Sequence, residues 1–356
     1  MLPNAAINPA PEDIGVIGSP LTTFPSGNHQ QFGTMTVRMG STLAMDPEGI
    51  SVSVSHAREH LDYVSRFTAQ NVGTAVYRSR SDRFDSTERE WFRGTTPLVE
   101  VARHVDEWAM VARGGFEKIS IEIPQWCRLT DFAPAYDIVK CPELVIRTED
   151  EETMIQWLQR IDDGPQFISI KPGVDTMKRR IQPPAQLSRQ FAELPIWRRR
   201  LDELVLMHWV PFTDEEFLSI RCKWFDILTP SVSDEALNTY LHMWVSGGLP
   251  GAERFGISVD RPFNINTVTR GLRVAEWGAM FRKTFPQLQE QVRDGETRFT
   301  VFRTVKEDET GPERECSNGT LIFDAEQGVY FEVRDYNREL EQQLTESLGP
   351  RAVIID

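Results

Sequence analysis

His56 and His60 are the first place in this 356-residue sequence where two side chains could cooperate in chemistry. On a helix, residues four apart share one face, and two imidazoles so placed can ligate zinc. The segment reads His-Ala-Arg-Glu-His, so Glu59 is not where an H-E-x-x-H metalloprotease carries its base. No third ligand follows, and the pair reads as surface histidines. His242 and Asn238 make a second candidate, one helical turn apart. Leu241 and Trp244 beside them place both at the rim of an apolar face, which points to helix capping or a core hydrogen bond. The acidic pairs Asp162-Asp163 and Glu151-Glu152 read as helix-end or surface charge. No G-x-S-x-G, phosphate-binding loop or G-x-G-x-x-G occurs. Catalytic, cofactor-binding and metal residues are therefore assigned nowhere, and the expectation is a chain that is not an enzyme and uses no cofactor.

Cys127, Cys141, Cys222 and Cys316 are scattered, with no C-x-x-C. They read as reduced core thiols, which places the expected compartment in the cytoplasm or nucleus. A net charge of −14 argues against a general nucleic-acid binder, which needs a basic face. Basic residues cluster only at Lys178-Arg179-Arg180 and Arg198-Arg199-Arg200. These read as solvated loop, with docking of an acidic partner segment as the alternative. No apolar run reaches the length of a membrane span, and no membrane partner is expected.

The elements that must carry these residues follow from periodicity. Alternating runs predict strands at Phe32–Met39, Gly49–Val54, Ala75–Arg78 and Lys118–Ile123, then from Glu143 and from Phe167. Further strands are expected at Glu203–Met207, Phe217–Cys222 and Arg254–Val259. Arg298–Val305 is the next, and Gly319–Phe323 with Gly328–Val333 suits a hairpin. Helices are expected at Ala57–Phe67, Thr96–Ala112, Glu149–Ile161 and Ser233–Ser246, with a short one near Asn264–Leu272. Ser233 can cap its helix by accepting from the N–H of Ala236, and Gly247-Gly248 can stop it. The first strand-to-strand spacings, 25 and 24 residues, suit strand–helix units like those of leucine-rich repeats. The expected fold is α/β: an irregular solenoid of short strands and helices, flanked by an N-terminal β-hairpin region and a C-terminal β-hairpin. The segments expected are a disordered lead (1–31), a small β/α part (32–95), an α/β domain (96–335) and a polar tail (336–356). Residues 78–95 read as a charged connection between the middle two.

Ser233-Asp234-x-x-Leu237-Asn238-x-x-Leu241-x-x-Trp244-x-x-Gly247, preceded by His208-Trp209 and by Leu218 and Cys222, resembles the signature of the type 2 F-box-associated domain of nematode F-box proteins. Tyr240 stands where that family often has Phe. A looser match to the family's ending runs through Phe302-Arg303-Thr304, Asn318–Ile322 and Tyr330–Val333. The resemblance implies a substrate-recognition domain of a ubiquitin-ligase receptor, with protein binding as its function. Residues 1–45 lack the Leu-Pro helical pattern of an F-box. A Skp1-like adaptor and a cullin are therefore expected as partners only if an F-box is hidden nearby. A scaffold or decoy without ligase coupling, or an enzyme with a site built from distant loops, are the alternatives. Arg147, Lys171, Arg221 and Lys223, flanking the strands, are the candidate contacts for an unknown protein target. Trp209, Trp224 and Trp244 read as core.

Overall fold

The structure, a computed structural model, describes residues 32–39, 50–56, 61–70, 73–80, 88–111, 115–123, 140–161, 164–175, 180–181, 183–285, 295–302, 318–324, 328–333, 343, 346–347 and 353–354. The lead at 1–31, most of the tail at 336–356, His60, Cys127, Cys316 and Lys178-Arg179 lie outside the described residues.

The chain is mixed α/β, and one large sheet dominates it. Five strands come first: β1 (Phe32–Met39), β2 (Ile50–His56), β3 (Leu61–Gln70), β4 (Gly73–Arg80) and β5 (Glu88–Arg93). Each pairs antiparallel with the next. Helix α1 (Pro97–Val111) leads into β6 (Phe116–Glu122), β7 (Glu143–Arg147), α2 (Glu151–Gln159) and β8 (Phe167–Lys171). A two-residue pair, β9 (Val174–Asp175) and β10 (Arg180–Ile181), stands apart from the main sheet. Next come α3 (Arg189–Ala192), β11 (Arg200–Trp209), α4 (Asp214–Ser219), β12 (Arg221–Leu228), α5 (Asp234–Val245) and β13 (Arg254–Ser258). The chain closes with α6 (Ile265–Thr269), β14 (Arg273–Glu276), α7 (Ala279–Thr284), β15 (Glu296–Phe302), β16 (Asn318–Asp324), β17 (Gly328–Val333) and β18 (Val353–Ile354).

Sixteen of these strands form one sheet in the order β18-β14-β15-β16-β17-β13-β12-β11-β8-β7-β6-β1-β2-β3-β4-β5. The central seven, β1, β6, β7, β8, β11, β12 and β13, run parallel, and antiparallel strands flank them on both sides. From β6 to β13 each main-sheet strand pairs with its predecessor. The intervening residues supply the crossovers that parallel pairing demands.

Register makes the core legible. Ile119, Leu144, Ile168, Leu204, Phe225, Phe255 and Phe331 are aligned across the sheet. Ile121, Ile146, Ile170, Leu206, Ile227, Ile257 and Val329 form the next such row, and both rows are buried. Helices pack on this face. Tyr240 of α5 lies 5.7 Å from Phe225 and 5.4 Å from Phe255, and Trp244 lies 4.7 Å from Phe331, all edge to face. Among the described residues the other face is only partly covered, with Lys118, Glu143, Phe167, Glu203, Trp224 and Arg254 half-buried or exposed.

Three expectations are corrected. Residues 61–70 are strand, not the helix expected at Ala57–Phe67. Tyr63, Ser65 and Phe67 alternate toward the buried face, and β-branched and aromatic residues favour the pleat. Of the strand expected at Phe217–Cys222, only Arg221 and Cys222 are strand, and Phe217–Ser219 end a helix. Thr213 and Glu216 form a capping box that starts α4, and β12 begins only at Arg221. The step from β11 to β12 thus runs from Leu204 to Phe225 and leaves room for a crossover. The charged run 78–95 contains β5, paired with β4 from Arg78↔Glu88 to Gly73↔Arg93. Gly73 permits that approach, since a Cβ there would sit 2.0 Å from the Phe92 carbonyl oxygen. The predicted helices at Thr96–Ala112, Glu149–Ile161 and Ser233–Ser246 appear as α1, α2 and α5, and the C-terminal hairpin as β16–β17.

Candidate interaction face

Strand alternation sends every second side chain of β6–β13 away from the helices. One row crosses the sheet as Lys118, Glu143, Phe167, Glu203, Trp224, Arg254 and Glu332. A second is Ser120, Val145, Ser169, Val205, Asp226, Gly256 and Tyr330, and a third contains Glu122, Arg147 and Lys171. Adjacent members of a row stand about 4.8 Å apart, the strand spacing. Phe167 is 38% exposed although apolar, and Trp224 is half-buried. With Asp202, Glu203 and Lys223 they line an open depression of about 410 Å³.

Charges on this face are partly engaged. Lys118 bonds Glu143, and the Arg254 guanidinium lies 5.5 Å from the Trp224 ring centre. Burial raises the pKa of Glu203, and the nearby Glu143 carboxylate adds to the rise. Burial also raises Asp226, against the pull of Arg254 and Lys171. Gly256 leaves a notch between Asp226 and Tyr330, where a Cβ would come within 2.8 Å of Asp226 Oδ1 and 3.0 Å of the tyrosine ring. Aromatic surface flanked by charges of both signs can hold a polypeptide.

Of the four candidate contacts, Arg147 and Lys171 come together, paired in register on β7 and β8. Arg221 instead donates to the Leu218 and Ile220 carbonyls at 2.7 and 3.0 Å, closing the end of α4. Lys223 sits at the rim of the depression and pairs with Glu253 at 3.0 Å. Sequence reading missed Phe167, Glu203, Asp226, Arg254 and Tyr330, and placed Trp224 in the core. The signal was there in Lys-Trp-Phe-Asp-Ile, where Trp224 shares its parity with Asp226 and opposes Phe225 and Ile227.

The motif residues form a different set, ties between successive units. His208 is fully buried, its Nδ1 accepting from the Ala185 N–H and its Nε2 donating to the Thr148 carbonyl, both at 3.0 Å. Trp209 continues that seam, its N–H bonding the Ala185 carbonyl at 2.8 Å. Ser233 accepts from Ala236 N–H at 3.0 Å, as expected, and its hydroxyl donates to Asp214 of α4 at 2.6 Å. Asp234 pairs with Arg261 at 2.8 Å and accepts from the Asn264 N–H. Asn238 donates to the carbonyls of Val268 and Arg270, and His242 donates to the latter at 2.9 Å. Leu237, Leu241 and Trp244 are buried, Leu218 packs at the core's margin, and Gly247 follows α5 at φ 79°. The buried Cys222 donates to the Trp224 carbonyl, and burial pushes its thiol up to about 12, as it does that of Cys141. Asn238→Ala should cost about 1 kcal/mol in denaturant unfolding, because two carbonyls lose one donor.

His56 ends β2 and so lies on a strand rather than on the expected helix, and His60 lies outside the described residues. Arg198, Arg199 and Arg200 are exposed where β11 begins. Among the described residues no group of three His, Cys, Asp or Glu could hold a metal ion, and no helix is long and apolar enough to cross a membrane. Compared with known protein families, characterised proteins and solved structures, the chain matches none.

Proposed function

We propose that this chain is a protein-recognition module that presents to another polypeptide the side of β6–β13 turned away from α2, α4 and α5. The observation that carries the reading is the row Glu143, Phe167, Glu203, Trp224 and Arg254, with exposed aromatic surface set between charges of both signs. Interfaces favour such anchors, with Trp and Arg prominent among binding hot spots. We read the succession of strands and helices as an irregular, leucine-rich-repeat-like solenoid. In such a fold the outward rows can vary without disturbing the inward ones. The F-box-associated resemblance supplies a finer proposal, in which the bound protein is a ubiquitin-ligase substrate and a Skp1-like adaptor and cullin join through an F-box. A scaffold or decoy would bind the same target without them.

Photo-crosslinking amino acids at Phe167 and at Trp224, compared with Gln159 on α2, test the face in the cells that make the protein. A single partner crosslinked from the two sheet positions and not from Gln159 supports the reading. Equal yields from Gln159 would sink it. Trp224→Ala should weaken partner retention about tenfold or more, the loss expected for an anchor residue. Adaptor and cullin in the same purification separate ligase coupling from the decoy.

A further inference from the structure

The far end of the sheet carries a different surface. Strand β5 is terminal in the strand order, and no other described strand pairs with its outer edge. Its residues alternate sharply. Glu90 and Phe92 turn to the helix face, where Glu90 pairs with Arg78 and the Arg103 guanidinium lies 4.4 Å from the Phe92 ring centre. Arg89, Trp91 and Arg93 turn the other way and are exposed, Trp91 at 44%. Register sets Tyr77 beside Arg89, and Arg66 beside Tyr77. The Arg89 guanidinium lies 5.5 Å from the Tyr77 ring centre. None of Arg66, Arg89 and Arg93 has a carboxylate partner among the described residues, in a chain of net charge −14.

An exposed strand edge offers unpaired N–H and C=O groups to any extended chain. A second copy of β5 fits poorly. Antiparallel pairing about Trp91 would set Arg89 against Arg93 twice, and like charges directly opposite are destabilising. Single-stranded nucleic acid could stack on Trp91, but it would leave the strand's backbone groups unpaired and meet the chain's overall negative charge. An acidic peptide answers both features.

We propose that the outer edge of β5 takes up an extended acidic peptide as an added strand, with carboxylates opposite Arg89 and Arg93 and an apolar or aromatic residue opposite Trp91. The mode is strand addition: main-chain hydrogen bonds hold the peptide, and alternate side chains read it. The recognition pattern is Asp/Glu-x-apolar-x-Asp/Glu, nearly symmetric, so the edge accepts either strand direction. This site lies five strands beyond β6 in the sheet and stands independently of the proposed role of β6–β13.

The test uses the full-length protein and a fluorescein-tagged heptapeptide pool, x-Asp-x-Tyr-x-Asp-x, with x drawn from Ser, Thr and Val. A matched pool carries Lys in place of Asp, and binding is read by anisotropy. The Asp pool should bind about tenfold or more tighter than the Lys pool, with affinity falling as salt rises. The double variant Arg89→Glu/Arg93→Glu should reverse the preference, and Trp91→Ala should weaken the wild-type binding. Unchanged circular dichroism and thermal unfolding would show that these exposed substitutions leave the fold intact. N-methylation of all five residues from the first Asp to the second should abolish binding, because in either strand direction it removes the donors that pair with β5. Failure of the Asp pool to bind, or a preference that survives the charge reversal, overturns the proposal. Tighter binding of oligothymidine, lost in the same variants, would assign the patch to nucleic acid instead.

Discussion

The unfolding free energy of this chain should fall as pH drops below about 6.5, by up to about 1.4 kcal/mol per pH unit for each of two buried histidines. His104 and His208 are 4% and 0% exposed, and burial lowers the pKa of both. Hydrogen bonding fixes their neutral forms. The Trp108 indole N–H donates to His104 Nε2 at 3.1 Å, and Ser65 Oγ lies 2.9 Å from the same nitrogen. Since an indole only donates, that nitrogen holds a lone pair, and protonation would displace the Trp108 N–H, while the Ser65 hydroxyl can turn to accept. At His208 the Ala185 N–H claims the lone pair in the same way.

The unfolded chain takes up these two protons first, so stability is complete above the unfolded pKa and is lost as pH falls through that region toward the folded values. Neighbours temper the effect. Glu107, 3.5 Å from His104 Nδ1, favours its protonation, while Arg78 and Arg103 oppose it. Glu149, 3.7 Å from His208 Nδ1, has its own pKa raised by burial. Its proton uptake therefore works in the opposite sense, stabilising the fold as pH falls through that raised value. Below about 4.5 a further loss sets in, because Arg189 holds the Glu216 carboxyl down to about 2. Urea unfolding over a pH series, followed by tryptophan fluorescence, measures the slope. His104→Gln and His208→Gln should each remove one proton's share. A slope untouched by either substitution would sink the account.

Ser65, His104 and Glu107 were not grouped in the sequence because they are brought together by β3 and α1, and β3 was expected to be a helix. The error has a physical source. Leu61–Gln70 mixes charged and aromatic residues at spacings that serve either period, and pairing with β2 and β4 decides between them. Where local chemistry is strong, sequence sufficed. Ser233, with Asp234 and Glu235 in the first turn, starts α5 as expected. The motif's Asn238 and His242 do cap a neighbouring element, yet its identity, the carbonyl end of α6, needed the tertiary contact.

The open face was half legible. Arg147 and Lys171 sit on short strands with clean alternation, so their outward direction could be read. Arg221 also flanks a strand, but two carbonyls at the end of α4 claim its guanidinium. The capping box that starts that helix lies in Thr-Asp-Glu-Glu at 213–216, and the apolar run after it equally suits a strand.

Phe225→Ala should cost about 3–5 kcal/mol of stability, while Trp224→Ala, one residue earlier, should cost less than about 1 kcal/mol. Phe225 is 1% exposed and stacks on Phe255 at 5.5 Å with the rings 14° apart. It also meets Phe217 and Tyr240 edge to face at 6.4 and 5.7 Å. Removing its ring leaves a cavity bounded by α4, α5 and β13, none of which can close it without shifting the others. Phe225→Leu, which keeps most of the volume, should cost about 1–2 kcal/mol, and the difference between the two variants isolates the cavity. Trp224 turns to the opposite face, where its ring meets Arg254 and solvent. Denaturant unfolding reads the first effect and partner retention the second. The division of labour across the sheet requires the two assays to separate: Phe225→Ala must unfold at much lower denaturant, and Trp224→Ala must lose its partner while unfolding near the wild-type midpoint. If Trp224→Ala proved as destabilising as Phe225→Ala, that side of β12 would be core, and the proposed recognition face would lose its central residue.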